Sequence, residues 1–229
     1  YGLLNCYHAA GIDEYDWRPF GPDFDKAKWD YFSFDPPETL PLEKGNRYRK
    51  VTYPAGMENW SSLEFDAAKA GWEKGLQPFG QLGGKLATLS ETCTASFCRC
   101  GETPKTLWEK ETLLIRSTFE FPPLKEGHRY RIVLGGAAHV NSGEGYALYA
   151  NGKLLAQSNA GVAVRQGGQP RGGDIYNDIR DEFKGGKVTI AATSFLRYNH
   201  PRRGVQPPRG HFSVWVEEMR IPPTVSVSR

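Results

Sequence analysis

The chain has 229 residues, of which 39% are hydrophobic and 13% aromatic, enough to form the core of one large domain or two small ones. Its formal net charge of +3 is too small to indicate a nucleic-acid partner, and no apolar run approaches the length of a membrane-spanning helix. The 26 glycines and 16 prolines predict many turns and few long helices.

The N-terminal region predicts a helix end followed by a linker. The first phrase, YGLLNCYHAAG, has apolar residues on one helical face, and Gly11 and Pro19 are typical of a helix end. Because the chain begins inside this phrase, we expect it to be a piece of a longer protein. Residues 21–46 are rich in Asp, Pro and aromatic residues, and they predict an irregular connection with one short strand at 31–34. We therefore assign residues 1–46 to the end of a preceding domain plus a linker.

From residue 47 onward the apolar residues alternate with a period of two, which is typical of strands. Strands are predicted at 47–53, 113–121, 128–139, 187–195 and 211–221. Between them, Asn151-Gly152 predicts a hairpin over residues 145–157, because both turn positions need the positive φ that these residues tolerate. Strands separated by turns, without long helices, predict an all-β fold, an antiparallel β-sandwich or jelly roll over residues 47–222 with a tail at 223–229.

The four cysteines do not match a common zinc site. They are Cys6, Cys93, Cys98 and Cys100. The C-x4-C-x-C spacing of the last three lacks the C-x2-C pairs of structural zinc sites. A disulfide within this cluster, a disulfide to Cys6 and free thiols all stay open.

Three groups of residues, taken in order, resemble a known family. The first group is Trp60, Phe65-Asp66, Trp72 and Pro78-Phe79-Gly80; the second is Trp108, Arg116, Phe119 and the hairpin Tyr146 to Lys153; the third is Asp178-Ile179, Phe183, Gly186 and Ile190-Ala191. Their order resembles the galactose-binding-like β-sandwich (jelly-roll) domains attached to glycoside hydrolases of the β-galactosidase and rhamnosidase type. The resemblance covers about residues 47–222 and leaves residues 1–46 and the cysteine-bearing insertion at 86–106 unexplained. It implies a non-catalytic domain that binds sugars or packs against a catalytic neighbour.

No catalytic residue is predicted, because no acidic pair, G-x-S-x-G or H-E-x-x-H phrase points to an active site within this chain. Glu217 and Glu218 lie on the last predicted strand, where alternation turns one of them inward. Related sugar-binding sandwiches hold calcium with such a residue, so Glu217 or Glu218 is a candidate ligand of a structural Ca²⁺.

Two segments combine the residue types that recognise sugars. They contain Arg165, Arg171, Asp174 and Tyr176 in the first segment, and Arg197, Tyr198, Asn199, His200, Arg202 and Arg203 in the second. Aromatic rings stack on the CH faces of sugars, and arginines bind carboxylate or sulfate groups through two parallel hydrogen bonds. If the segments meet at one end of the sandwich, they form a basic rim for an acidic glycan. The alternative is that these arginines are solvated or contact a neighbouring domain.

We therefore expect a non-catalytic carbohydrate-binding or accessory module of a larger secreted protein, in an extracellular or periplasmic location. Its expected partners are a carbohydrate, including an acidic one, and a neighbouring domain of the same parent chain, without nucleic acid or a membrane span. Two alternatives stay open. The domain could be purely structural, packing on a neighbouring domain, or it could complete an active site with residues outside this sequence.

Overall fold

A computed structural model describes residues 17–35, 53–80, 104–108, 110, 112–135, 146–158, 175–179, 184–195, 198–200, 204–206 and 211–221. Within these ranges the regular elements are fourteen strands, and no helix occurs. The strands are β1 (Arg18–Pro19), β2 (Lys28–Phe34), β3 (Glu73–Leu76), β4 (Phe79–Gly80), β5 (Thr106–Leu107), β6 (Thr112–Phe121), β7 (His128–Gly135), β8 (Tyr146–Ala150), β9 (Lys153–Ser158), β10 (Ile175–Ile179), β11 (Gly186–Phe195), β12 (Tyr198–His200), β13 (Gly204–Gln206) and β14 (His211–Arg220).

Two sheets contain most of these strands. The first sheet has the order β10-β7-β14-β4-β5, with β1 paired to β14, and its pairs are antiparallel except for β4 with β5. The second sheet has the order β3-β2-β6-β11-β8-β9 and is antiparallel throughout. Strands β12 and β13 form a separate antiparallel pair. The predicted all-β class is confirmed for the described residues.

One hydrophobic core joins the two sheets. Ile132 and Val214 of the first sheet belong to the same buried cluster as Phe119 and Ile190 of the second sheet. Since successive side chains of a strand point to opposite faces, each sheet contributes every second residue to this cluster. The two sheets therefore form two layers around a shared core.

Several tryptophans pack inside the domain. Trp60, Trp72 and Trp108 are only 2%, 7% and 0% exposed. Trp215 is half-buried and packs against the main core. Phe79 is fully buried and lies in the short strand β4.

Strand β2 corrects the predicted boundary between linker and sandwich. It pairs with β3 and β6 inside the second sheet, although residues 1–46 were predicted to precede the sandwich. Its Trp29 lies in the main core, whereas Phe34 lies in a second cluster on the opposite face of the sheet. Because both faces of β2 are covered, its sequence lacks the alternation of polar and apolar residues that marks a strand with one exposed face.

Residues 53–72, here called the cover segment, pack in a series of turns on the outer face of the second sheet. Their side chains and those of the sheet form the second cluster, which contains Phe34, Met57, Trp60, Ala67, Trp72, Leu114 and Ala191. Trp60 packs edge-to-face on Tyr149 with ring centroids 5.4 Å apart. The cover segment thus gives the second sheet apolar contacts on both of its faces.

The predicted hairpin is confirmed. It consists of β8 and β9 joined by Asn151 and Gly152, whose φ angles are 50° and 78°. The backbone amide of Thr189 donates to Oδ1 of Asn151 at 2.9 Å, and the amide of Asn151 donates to the Thr189 carbonyl at 2.8 Å. The turn is therefore tied to β11 as well as closed on itself.

Several predictions lie outside the described residues. These are the helical phrase of residues 1–11, residues 47–52 of the predicted first strand, and all four cysteines. Strands β6, β7, β11 and β14 match the strands predicted near them, with small differences at their ends. In the part of the chain that the structure describes, no helix could cross a membrane.

Candidate functional site

The two predicted binding segments both connect the second sheet to the first. Residues 159–174 lead from β9 to β10, and residues 196–210 lead from β11 to β14. Whether the segments can share a site depends on which ends of the sheets these four strands present. The strand register answers this question from described residues alone.

In the second sheet, the ends of β9 and β11 lie on the same side. Tyr146, the first residue of β8, pairs with Ser158 at the end of β9. The same Tyr146 pairs with Ser194, one residue before the end of β11. Both segments therefore leave the second sheet where β8 begins.

In the first sheet, the starts of β10 and β14 also lie on one side. Leu134, near the end of β7, pairs with Ile175 at the start of β10. Leu134 pairs on its other side with Val214, close to the start of β14. Both segments therefore enter the first sheet where β7 ends.

Short connections and packing identify the opposite end of the two layers. Residues 122–127 join β6 to β7, and residues 180–185 join β10 to β11. At this end the Phe20 ring lies 5.8 Å from the Phe121 ring and 4.8 Å from the Tyr130 ring, which joins the two sheets. The strand ends that flank the two predicted segments thus lie at the other end of both sheets, here called the long-connection end.

The structure describes the predicted ligand-binding residues in part. Tyr176 lies in β10, the strand at one edge of the first sheet, and Tyr198, Asn199 and His200 form β12. The β12–β13 pair was not predicted, because its segment reads as a loop rich in Arg and Pro. Six further candidates lie outside the described residues: Arg165, Arg171, Asp174, Arg197, Arg202 and Arg203.

Glu217, one of the two candidate calcium ligands, is held by hydrogen-bond donors. Its side chain is 3% exposed, and its Oε2 lies 2.7 Å from Nε and 2.6 Å from Nη2 of Arg131. Its Oε1 accepts a hydrogen bond of 2.8 Å from the Trp215 indole. A guanidinium occupies the position beside the carboxylate where a calcium ion would lie, so these surroundings do not fit the metal.

Glu218 has a cationic partner too. Its two carboxylate oxygens lie 2.8 and 3.2 Å from Nζ of Lys125. The pKa of Lys125 is raised, and the hydrogen bond to Glu218 is the largest cause. Burial of the ammonium group acts in the opposite direction. In the part of the chain that the structure describes, no group of three or more His, Cys, Asp or Glu side chains could hold a metal ion. Calcium binding stays a prediction, and the surroundings of Glu217 and Glu218 do not fit a calcium ion.

Sequence reasoning missed an aromatic contact of the Arg131–Glu217 ion pair. The guanidinium carbon of Arg131 lies 3.9 Å from the centroid of the Trp17 ring, a close cation–π contact. Trp17 directly precedes β1, which pairs with β14 at Glu217 and Glu218. The alternation of arginines with apolar residues in β7 marks the outward face of the strand, but a tryptophan 114 positions earlier gave no sign of contact with it.

A charged row crosses the outer face of the second sheet beside the cover segment. In the register, Asp30 of β2 lies opposite Lys74 of β3 on one side and Arg116 of β6 on the other. Oδ1 of Asp30 lies 2.5 Å from Nζ of Lys74. These residues line one side of an open cleft of about 450 Å³, whose other side is the cover segment at residues 63–68.

Arg116 binds the cover segment to the sheet. It is only 6% exposed, and its guanidinium donates to the carbonyls of Trp60, Ser62 and Phe65 at 3.2, 2.8 and 2.8 Å. Burial lowers the pKa of Arg116, and the negative charge of Asp30 opposes this shift. Arg116 therefore stabilises the cover segment, which forms one side of the cleft, and it donates its hydrogen bonds to carbonyls of that segment.

Comparisons with known proteins found similar solved structures. No protein-family model matches it, and no curated protein matches it. A β-glucuronidase from glycoside hydrolase family 2 is 16% identical with a TM-score of 0.45, and the match covers 89% of this chain and 18% of that one. The β-glucuronidase of Faecalibacterium prausnitzii is 9% identical with a TM-score of 0.42, and the match covers 90% of this chain and 32% of that one.

A third matching structure is the β-glucuronidase of Bifidobacterium dentium in complex with coumarin-3-O-glucuronide. It is 13% identical with a TM-score of 0.45, and the match covers 89% of this chain and 30% of that one. The chain thus spans about a fifth to a third of the length of the solved structures it matches. These proteins are glycoside hydrolases. Domains attached to enzymes of this class are what the three groups of residues in the sequence resemble.

Two regions of the domain therefore merit attention as sites. The long-connection end is the point where both arginine-bearing segments join the sheets. The cleft on the second sheet offers carboxylate, ammonium and hydroxyl groups on a rigid surface, together with the exposed Leu63 at its rim.

Proposed function

We propose that this chain is a non-catalytic, galactose-binding-like β-sandwich that serves as the carbohydrate-binding module of a larger, secreted, carbohydrate-active protein. Its glycan binds at the long-connection end, beside the segments whose sequences contain Arg165, Arg171, Arg197, Arg202 and Arg203. The ligand class is an acidic glycan, since arginines recognise carboxylate and sulfate groups through paired hydrogen bonds.

A single observation carries this proposal: the register brings the strand ends that flank both segments to one end of the two layers. Tyr146 pairs with the end of β9 and with the end of β11, and Leu134 pairs with the starts of β10 and β14. Arg197 follows β11 by two residues, so its Cα lies within about 7 Å of that strand end by chain length alone. Arg171 is four residues before β10, which limits its distance in the same way.

Two of the described carboxylates are held in ion pairs that do not suit a catalytic role. The most buried carboxylate, Glu217, is neutralised by Arg131, and Asp30 is paired with Lys74. Glycoside hydrolysis needs two carboxylates that face one bond with different protonation states. Side chains held in ion pairs of this kind stabilise the fold and are poorly suited to that task.

A second candidate function, packing against a neighbouring domain, has an observation of its own. Leu63 and Leu154 are 54% and 42% exposed, and both lie near the hairpin turn. A Cβ built on Gly152 would lie 3.5 Å from Cα of Ser62 and 3.9 Å from the amide nitrogen of Leu63, so the turn touches the cover segment. Exposed leucines on adjoining elements favour a contact surface for another domain.

Affinity electrophoresis tests the primary proposal. The chain is run through gels that contain heparin, polygalacturonate or alginate as anionic probes, and dextran or galactan as neutral probes. We expect retardation by an anionic polysaccharide, and we expect the double variant Arg202→Ala/Arg203→Ala to lose most of it.

The matched control removes two cations at the opposite end. Lys184 and Lys187 are exposed beside the connection between β10 and β11. The double variant Lys184→Ala/Lys187→Ala should migrate like the parent chain in each gel. Absence of retardation by every probe, or equal losses in the two double variants, would contradict a glycan site at the long-connection end.

A further inference from the structure

The cleft on the outer face of the second sheet lies apart from the long-connection end. Strands β2, β3 and β6 form its floor, and the cover segment forms its rim. Its volume of about 450 Å³ is within the range of about 300–1,000 Å³ typical of ligand sites. Its polar and charged lining residues are Asp30, Glu64, Asp66, Lys74, Arg116, Ser117 and Thr118.

Two of these side chains place an acceptor and a donor next to each other. The carboxylate of Asp30 is 19% exposed and the ammonium-bearing side chain of Lys74 is 59% exposed, with 2.5 Å between Oδ1 and Nζ. The pair leaves Oδ2 of Asp30 and two ammonium protons of Lys74 for a ligand. Arg116, by contrast, directs its hydrogen bonds to three carbonyls of the cover segment.

Neighbouring groups extend this polar surface. The Thr118 hydroxyl lies 2.7 Å from the Thr189 hydroxyl, and each oxygen has a further lone pair. Oδ1 of Asp66 accepts a hydrogen bond from the Lys69 amide at 3.0 Å, which fixes the carboxylate and leaves Oδ2 available. Leu63, more than half exposed, adds an apolar edge. The cleft thus combines fixed acceptors, a cationic donor and one apolar side.

We propose that this cleft binds one neutral sugar ring through a vicinal diol. Each hydroxyl of a diol both donates and accepts a hydrogen bond, so one oxygen can donate to Asp30 while its neighbour accepts from Lys74. The CH face of the ring then lies toward Leu63. Three carboxylates around the cleft, from Asp30, Glu64 and Asp66, disfavour an anionic ligand at this position.

This inference rests on the proposed function, because it assigns a second glycan contact to the same module. The two contacts are separate in space. Thr112 begins β6 at the long-connection end and Thr118 lines the cleft, so six residues of strand put them about 20 Å apart. Variants at one site therefore test that site alone.

Nuclear magnetic resonance titration of the whole chain with D-glucose, D-galactose and D-mannose tests the cleft. These probes differ in the orientation of neighbouring hydroxyls. We expect at least one of them to shift the resonances of Asp30, Lys74 and Thr118 at millimolar concentration. Lys74→Met should weaken that sugar about tenfold, since it removes charge-assisted hydrogen bonds of the ligand.

A second variant guards against loss of structure. Ala68 is exposed and lines the cleft, so Ala68→Trp fills the space and leaves the Asp30–Lys74 pair in place. It should abolish binding of the sugar. The control Lys26→Met breaks the exposed ion pair between Lys26 and Asp23, which is 2.8 Å long and does not line the cleft, and it should leave binding unchanged.

The outcomes separate this inference from the proposed function. Shifts at the cleft that Lys74→Met weakens and Ala68→Trp abolishes support it, whether or not the anionic gels retard the chain. Shifts that persist in Ala68→Trp, or no shift at the cleft with any of the three sugars, overturn it. Retardation by an anionic gel tests the long-connection end alone, so both cleft variants should retain it.

Discussion

Replacing Arg116 with methionine should weaken the attachment of the cover segment to the second sheet. Methionine keeps the length of the apolar stem but has no donor for the carbonyls of Trp60, Ser62 and Phe65, which now accept bonds of 2.8 to 3.2 Å. It also removes the contact between the guanidinium and the Phe65 ring, 5.2 Å from its centroid. The carbonyls of Trp60 and Phe65 would lose this donor, whereas the Ser62 carbonyl keeps a bond of 3.4 Å from the Phe65 amide.

The expected cost follows from these contacts. Each buried polar group left without a partner costs about 1–3 kcal/mol, and the carbonyls of Trp60 and Phe65 both lose the guanidinium as their donor. We expect a loss of about 3–5 kcal/mol in the free energy of unfolding for Arg116→Met. A domain of ordinary stability has about 5–15 kcal/mol in total, so the variant keeps only part of its margin.

Urea unfolding followed by tryptophan fluorescence measures this loss. With a slope of about 3 kcal/mol per molar urea, the midpoint should fall by about 1 M or more. In the absence of urea, the near-ultraviolet circular dichroism spectrum of Arg116→Met should differ from that of the parent chain, because Trp60 and Trp72 pack in the cluster that Arg116 closes. Arg220→Met, at an exposed position of β14, is the matched control and should stay close to the parent chain. A loss below about 1 kcal/mol for Arg116→Met would refute the role assigned to it.

Three further predictions follow from the same structure. Glu217→Gln should lower the free energy of unfolding by about 3 kcal/mol in urea melts, because it removes the buried carboxylate that Arg131 binds. A loss of only about 0–1 kcal/mol, as for an exposed ion pair, would contradict this. Gly152→Ala should cost about 1–2 kcal/mol, because φ is 78° there and residues with a Cβ disfavour that region; an unchanged thermal midpoint would refute it. Burial and the hydrogen bond to Glu73 raise the pKa of Tyr31 to about 12, so its contribution to stability is complete below pH 10.0 and is lost as the pH rises toward 12. Tyr31→Phe should therefore lose less stability than the parent chain across this pH window in urea melts, and parallel curves would contradict the assignment.

The sequence predicted the hairpin and the long strands well, because their signals are local. Asn151-Gly152 defines its own turn, and β6, β11 and β14 carry apolar residues on every second position. For β2 the sequence predicted only a short strand at 31–34 and assigned it to a linker, since Trp29 and Phe34 point to opposite faces and both faces are covered. A strand of this kind has no polar side for the alternation to reveal.

Contacts between distant parts of the chain were beyond sequence reasoning. Arg116 reaches carbonyls more than fifty residues earlier, and Trp17 stacks on Arg131. The cleft joins Asp30, Lys74 and Thr118 through the order of strands in the second sheet, which no local pattern encodes. The two arginine-bearing segments were chosen from their composition, and the binding role of their side chains stays a prediction. What the structure adds is the register of the strands that flank them.

The most direct test of the glycan site is a map of where an anionic glycan protects the chain. Backbone hydrogen exchange is measured with and without the polysaccharide that retards the chain most. We predict slower exchange at the ends of β9 and β11 and at the starts of β10 and β14, with no change in residues 122–127 at the opposite end. Protection confined to residues 122–127 and their neighbours, with none at those four strand ends, would contradict the account.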